Sequence, residues 1–184
     1  MKKGLFSIPF FIFNLMKNTI AILLLIISPV MFFAQKNGVE INGWTNVNTF
    51  KCSNINFKNS PTIYTFTGNQ LPNLQLQVND FDCKNRMMTA DFRKTLHSDK
   101  YPALTIKFIN FSKVGANRFS ALVEVKMMTV SKKYNIEFSE YKNSLVGNKR
   151  LKFSDFNIVP PKKMGGMVYV KDELDLFFSL AIKD

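Results

Sequence analysis

The stretch Leu174-Asp175-Leu176-Phe177-Phe178-Ser179-Leu180-Ala181-Ile182 carries an apolar residue at every second position. Such alternation is the pattern of a β-strand that buries one face against a core. Phe177 adds an apolar side chain to the opposite face, as in a curved sheet whose outer face is partly covered. The stretch therefore predicts a long strand of an antiparallel sheet.

The same alternation recurs along most of the chain, in the segments 74–79, 104–109, 119–125 and 134–139. Turn-forming residues separate these segments, at positions 68–69, 115–117, 142–143 and 160–166. We expect eight or nine strands, and hence an all-β domain.

One segment departs from this pattern and predicts a single short helix. In Met87–Leu96, apolar residues recur four positions apart, at 88, 92 and 96. Thr89 or Asp91 is the expected N-cap. The helix should end before Tyr101-Pro102, because the residue before a proline avoids the helical region.

The composition excludes several classes of protein. The chain has 184 residues, enough for one domain with a core, but only two Cys and one His. That is too few soft ligands for a Cys/His zinc site and too few Cys for a disulfide-rich scaffold. The motifs GxGxxG, GxxxxGK[ST], HExxH, CxxC and GxSxG are absent. We therefore expect neither catalysis nor a metal or cofactor.

The N-terminal segment reads as an export signal. Residues 1–34 contain three lysines and no acid, and Ile20–Phe33 is shorter than the roughly 20 apolar residues of a membrane span. We expect residues 1–35 to be a secretory signal, cleaved near Ala34-Gln35, with Met16 as an alternative start. The alternative is an uncleaved anchor. Residues 36–184 would then form one domain in the periplasm or outside the cell.

The formal charge of +12 falls to +9 once the three signal lysines are removed. The remaining basic residues are spread along the chain, whereas nucleic-acid footprints are patches or stripes. We therefore expect no nucleic-acid partner. A weak, transient attraction to anionic lipid headgroups at a membrane surface is compatible with this charge.

Several segments in a fixed order resemble the YceI-like, polyisoprenoid-binding family. They are the residues 81–88 before the helix, Lys100-Tyr101-Pro102 opening a strand, Phe153–Ile158, the Pro/Gly loop after it, and a last strand that opens at Val170. The segment 43–52 is similar to the first long strand of some exported members. The resemblance covers about 37–184. Asn157 stands where members have a glycine, and another glycine is missing from 128–132.

The resemblance implies a lipocalin-like antiparallel β-barrel of about eight strands with one short helix. It also implies a non-catalytic carrier that holds a polyisoprenoid or a fatty-acid-like lipid, and family members can be homodimers. Candidate lining residues are Leu74, Leu76, Leu104, Ile106, Phe108, Val123, Val125, Ile136, Phe138, Phe156, Leu176 and Phe178. Alternation does not tell a ligand wall from a core that fills the barrel.

If the barrel is filled, the alternative function is an interaction module of the cell envelope. Its outer apolar residues Ile109, Leu122 and Phe177 would then contact a partner protein. In the carrier interpretation, Lys162 and Lys163 in the 160–167 loop would instead meet a pyrophosphate headgroup beside the barrel opening.

Two further features are read from the residues themselves. Cys52 and Cys83 are expected to pair if the protein is exported, since two cysteines in an oxidising compartment usually do. A redox pair and free thiols are the alternatives. His97 is expected just past the helix, as an exposed loop residue in preference to a ligand.

Overall fold

The computed structural model describes residues 37–65, 71 and 73–183. The predicted signal and the turn at Gly68-Asn69 lie outside these residues. The strands are β1 (Gly38–Thr45), β2 (Thr49–Asn54), β3 (Tyr64–Thr65), β4 (Leu74–Gln77), β5 (Phe81–Asp82), β6 (Ala103–Gly115), β7 (Arg118–Met127), β8 (Val130–Tyr141), β9 (Ser144–Lys152), β10 (Lys162–Lys163) and β11 (Val168–Lys183). The helices are α1 (Ile55–Asn59) and α2 (Arg86–Thr95), and short 3₁₀ turns lie at Val78–Asp80, Phe153–Phe156 and Met164–Gly166.

The strands form a nearly closed antiparallel barrel, as predicted. The order is β4-β6-β7-β8-β9-β11-β1-β2-β5, while β10 and β3 add to β11. The two edge strands, β4 and β5, are consecutive in the chain and are joined by the turn Val78–Asp80. The Asn54 side chain donates to the carbonyl oxygen of Gln77 at 3.1 Å, which links the two sides of the gap.

The segments with alternating apolar residues form strands because this alternation places their apolar side chains on one face, toward a common core. Leu174, Leu176, Phe178 and Leu180 on β11 are fully buried. Lys142 and Asn143 both have positive φ, at 48° and 57°, in the two-residue turn between β8 and β9. This backbone twist matches that of the paired strands, and asparagine tolerates it well.

Helix α2 begins earlier than its predicted caps. Asn85 is the N-cap, and its side chain accepts from the backbone NH of Met88 at 3.1 Å. Thr89 instead faces the strand before the helix, where its hydroxyl accepts from Cys83 N and donates to Asp82. The proposed caps Thr89 and Asp91 are therefore wrong, because an asparagine three residues before Met88 satisfies the first free NH groups.

The segment 43–52 is a hairpin and not one long strand. Thr45 ends β1, and its hydroxyl accepts from the backbone NH of Asn48 at 2.7 Å while its own NH donates to the Asn48 carbonyl at 2.7 Å. These two bonds close a tight turn before β2. The five-residue helix α1 is a further addition to the prediction, which had only one helix.

Asn157, which stands where the resemblance has a glycine, has a left-handed backbone, and so does Met128 at the start of the segment 128–132. Asn157 has φ 57° and ends the turn Phe153–Phe156, and Met128 has φ 54° between β7 and β8. Glycine adopts this conformation without strain, and asparagine is the next most tolerant residue. Both turns thus adopt the left-handed conformation without a glycine.

Candidate ligand-binding site

The twelve candidate lining residues lie together in one buried core. None is more than 6% exposed, and all belong to the same apolar cluster. Eleven of them lie on strands and face the interior as the alternation of the sequence indicates, while Phe156 lies in the turn Phe153–Phe156. That a lipid contacts them stays a prediction.

Five phenylalanines from four strands meet in the middle of the barrel. Phe108, Phe111, Phe119, Phe138 and Phe178 have neighbouring ring centroids 5.0 to 6.5 Å apart. These are ordinary distances for packed aromatic side chains. The middle of the barrel is therefore occupied, and a hydrocarbon chain would reach it only by displacing these rings.

One end of the barrel, which we call the helix end, is covered by α2 and the segment 153–163. Phe92 and Leu96 of α2 are buried there, as are Phe153, Phe156 and Ile158. The ring of Phe92 packs 5.3 Å from that of Phe81. The cover over the interior at this end is thus built from apolar side chains of two separate segments.

A cavity of about 410 Å³ lies between the C-terminal half of α2 and residues 157–163. Lys94, His97, Lys162 and Lys163 line it, against the single acid Asp91. Lys163 binds Asp91 at 2.8 Å, so Lys94 and Lys162 carry the unbalanced charge. We call this cavity the basic cleft.

An apolar crevice adjoins the basic cleft. The two share Asp91, Thr95 and Pro161, but the crevice is otherwise lined by Phe50, Met88, Phe92, Phe153 and Val170. Its volume is about 20 Å³, room for about one water molecule. The crevice is therefore a narrow seam between α2 and the barrel, with an apolar lining.

Three carboxylates hold the covering segment 153–163 in place. Asp172 accepts from the backbone NH and the hydroxyl of Ser154, at 2.8 and 2.6 Å. Asp155 accepts a hydrogen bond from the Tyr134 hydroxyl at 3.0 Å. Burial raises the pKa of Tyr134, and the Asp155 carboxylate raises it further. Asp91 makes the third tie, to Lys163. The wall of the cleft is thus fastened to β8, β11 and α2.

Sequence reasoning identified Lys162 and Lys163 but missed Lys94. Lys94 lies in the last turn of α2, as basic residues commonly do. Its position beside the 160–167 loop depends on how the helix packs. His97 is exposed, has φ 46° and follows the helix, as expected, and it lines the same cleft.

Cys52 and Cys83 form a disulfide, as predicted. The bond joins β2 to the short loop between β5 and α2, and both residues are buried. Across the described ranges, no group of three or more His, Cys, Asp or Glu residues is placed to hold a metal ion. In the same residues, no helix has the length and apolarity to span a bilayer.

The molecule is an antiparallel barrel with a helix and a basic cleft at one end. It is similar to Burkholderia cenocepacia BcnA, with a TM-score of 0.59 and 14% identity over 78% of this chain and 94% of that one. At so low a sequence identity, this structural likeness shows a shared fold and no more.

Two other solved structures are similar at a TM-score of 0.48. One is a Campylobacter jejuni YceI protein, 14% identical over 59% of this chain and 68% of that one. The other is a polyisoprenoid-binding domain from Saccharophagus degradans, 9% identical over 80% of this chain and 96% of that one. No protein-family model and no curated protein sequence matches the chain.

Proposed function

We propose that the protein is an exported, non-catalytic carrier of a long-chain amphipathic lipid with an anionic headgroup, either a polyisoprenoid or a fatty-acid-like molecule. The observation that carries the proposal is the junction at the helix end. There a cleft with unbalanced lysines meets a seam lined by apolar side chains. A ligand with one charged end and one hydrocarbon end fits this pair of surfaces.

The headgroup belongs in the basic cleft. Lys162 is exposed, and neither it nor Lys94 forms an ion pair within the part of the chain that the structure describes. A phosphate or carboxylate would accept hydrogen bonds from both. Charge-assisted hydrogen bonds of this kind contribute about 1.5–3 kcal/mol.

The hydrocarbon chain would enter by widening the apolar seam. Met88 lines the seam, and its unbranched side chain repacks easily. Beyond the seam lies the buried cluster that holds the twelve candidate residues. Each buried CH₂ contributes about 0.8 kcal/mol of favourable free energy. For a chain of ten or more carbons, this gain offsets the cost of rearranging the phenylalanine rings.

Export is supported by the disulfide, because such bonds persist in oxidising compartments. The location in the periplasm or outside the cell rests on this bond and on the predicted signal. Mass spectrometry of the protein recovered from its host would give the N-terminus directly.

The test of the carrier function is mass spectrometry of organic extracts from the purified native protein. We expect a long-chain lipid in stoichiometric amount, absent from extracts of an unrelated exported protein prepared in parallel. Extracts without lipid, together with failure to bind long-chain probes, would exclude the proposal.

A second candidate function is favoured by the phenylalanine cluster that fills the barrel. In this case the protein binds a partner protein through its outer face, where Ile109 is 38% exposed and Leu122 and Phe177 are half-buried. Recovery of a partner at fixed stoichiometry, lost on substitution of Ile109 by Ser, together with lipid-free extracts, would favour this function over the carrier.

A further inference from the structure

Exposed apolar side chains gather at the helix end of the barrel. Of the eleven large apolar residues that are exposed in the described part of the chain, four lie on three neighbouring loops there and a fifth lies at the start of β11. Val159 is 83% exposed, Val47 is 69% exposed, and Met164 and Met167 are each 68% exposed. Tyr169 is the fifth. We call these five residues the apolar rim.

Hydrogen bonds from the Asn46 side chain and from the backbone connect these loops to the start of β11. The Asn46 side chain donates to the Met167 carbonyl at 2.9 Å and accepts from the Tyr169 NH at 3.0 Å. The NH of Val170 donates to the Pro161 carbonyl at 3.0 Å. These bonds hold the segments that carry the apolar rim next to one another.

The chain turns sharply so that both methionines are exposed. Met164, Gly165 and Gly166 all have positive φ, at 50°, 64° and 98°. A Cβ on either glycine would have no neighbour within 4 Å, so no other part of the described ranges covers this turn. Exposing flexible methionines in this way is typical of surfaces that bind apolar partners of variable shape.

Positive charge adjoins the rim. Lys162 pairs with Tyr169 in the hairpin of β10 and β11, and Lys171 lies two residues further along β11. Both lysines are exposed, and neither has an ion-pair partner in the described residues. Apolar tips beside lysines, with a tyrosine between them, match the layered chemistry of an anionic membrane surface.

We propose that the apolar rim docks the helix end onto the surface of an anionic phospholipid bilayer. Met164, Met167 and Val159 would enter the boundary between headgroups and acyl chains, while Lys162 and Lys171 would meet the phosphates. Docking in this orientation brings the basic cleft against the headgroups. The inference rests on the proposed carrier function, for which it names the membrane as the source or destination of the lipid.

The experiment measures binding of the processed protein, recovered from its exporting host, to two kinds of vesicle. One is rich in phosphatidylglycerol and the other is phosphatidylcholine alone. The test variant is Met164→Asn with Met167→Ser, because asparagine keeps the left-handed backbone at position 164. The matched control is Val114→Ser with Tyr141→Ser, two exposed apolar residues at the opposite end of the barrel.

We expect the protein to sediment with the phosphatidylglycerol vesicles, and less so at high salt, which screens the lysines. The Met164/Met167 variant should bind at least about tenfold more weakly, since it loses two apolar anchors. The control variant should bind like the unmodified protein. Lys171→Gln should weaken binding about fivefold. Equal binding by the two double variants, or no binding to either vesicle, would overturn the proposal.

The two proposals fail separately in this design. Neither methionine lines the basic cleft, so the Met164/Met167 variant should bind a soluble alkyl phosphate as the unmodified protein does. If this variant loses vesicle binding but still binds the alkyl phosphate, the result supports the apolar rim as the docking surface. If the protein binds vesicles but takes up no lipid, the result would support the docking surface and exclude the carrier function.

Discussion

The ring of Phe138 lies directly against the backbone of Gly147, its partner on the neighbouring strand. A Cβ at position 147 would come within 2.5 Å of the ring atom Cδ1 and 3.0 Å of the Glu137 carbonyl oxygen. The missing side chain thus makes room for the ring that stands in the middle of the phenylalanine cluster. At this point the close pairing of β8 and β9 and the position of the Phe138 ring require that residue 147 has no side chain.

Gly147→Ala should destabilise the protein by about 1–3 kcal/mol, because the added methyl group forces the ring or the strand to move. The free energy of unfolding from urea titration measures this. Gly38→Ala is the matched control, since its Cβ would meet only Ser179 at an ordinary 3.7 Å. Equal effects of the two substitutions would contradict the role given to Gly147.

Asn157→Ala should lower the free energy of unfolding by about 1 kcal/mol, because alanine resists the left-handed backbone that ends the turn Phe153–Phe156. Asn157 is exposed, so the change removes no packing. Asn157→Gly should stay within about 0.5 kcal/mol of the unmodified protein. Urea unfolding of the three proteins side by side tests this, and a harmless Asn157→Ala would show that the turn is not held in this conformation.

The strands were predictable because alternation reports which face of a strand is buried, and Leu174 to Ile182 does so without interruption. The hairpin at Thr45 was not predictable from the sequence. Its turn is closed by the Thr45 hydroxyl group, in a segment whose residues resemble one continuous strand. The helix cap was missed because Asn85 precedes the apolar repeat. The basic cleft was half predicted: Lys162 stands out in a turn-rich loop, whereas its proximity to Lys94 is set by tertiary packing alone.

Reduction of the Cys52–Cys83 bond, or replacement of both residues by alanine, should lower the free energy of unfolding. The bond closes a 31-residue separation, for which the loop-entropy model gives about 3–4 kcal/mol. Urea titration with and without reductant measures the loss, and the alanine variant serves as the control that no longer responds to reductant. A difference below about 1 kcal/mol would mean that the bond does little for stability.

The ion pair of Glu40 with Lys51, at 2.8 Å, should make stability fall in acid. Burial alone would raise the pKa of Glu40, but hydrogen bonds from Lys51 and Ser53 and the charges of Lys51 and Lys58 outweigh it and lower the pKa below 4.5. The contribution is therefore present above pH 4.5 and is lost as pH falls through the lowered pKa of the folded state.

Glu40→Gln should remove this part of the acid dependence. Unfolding midpoints measured in steps from pH 6 to pH 3 should decline less steeply for the variant than for the unmodified protein. If the midpoints of the two proteins decline in parallel, the ion pair of Glu40 contributes nothing to the pH dependence of stability.

The most direct test of the carrier account is the affinity of the processed protein for dodecyl phosphate compared with dodecanol. We predict that the phosphate binds about tenfold or more tightly, since its headgroup meets the basic cleft. Lys94→Gln with Lys162→Gln should abolish this preference, while Lys132→Gln with Lys133→Gln, the same charge change at two residues that do not line the cleft, should keep it. Failure of the unmodified protein to bind either compound, or a preference unaffected by loss of Lys94 and Lys162, would contradict the account.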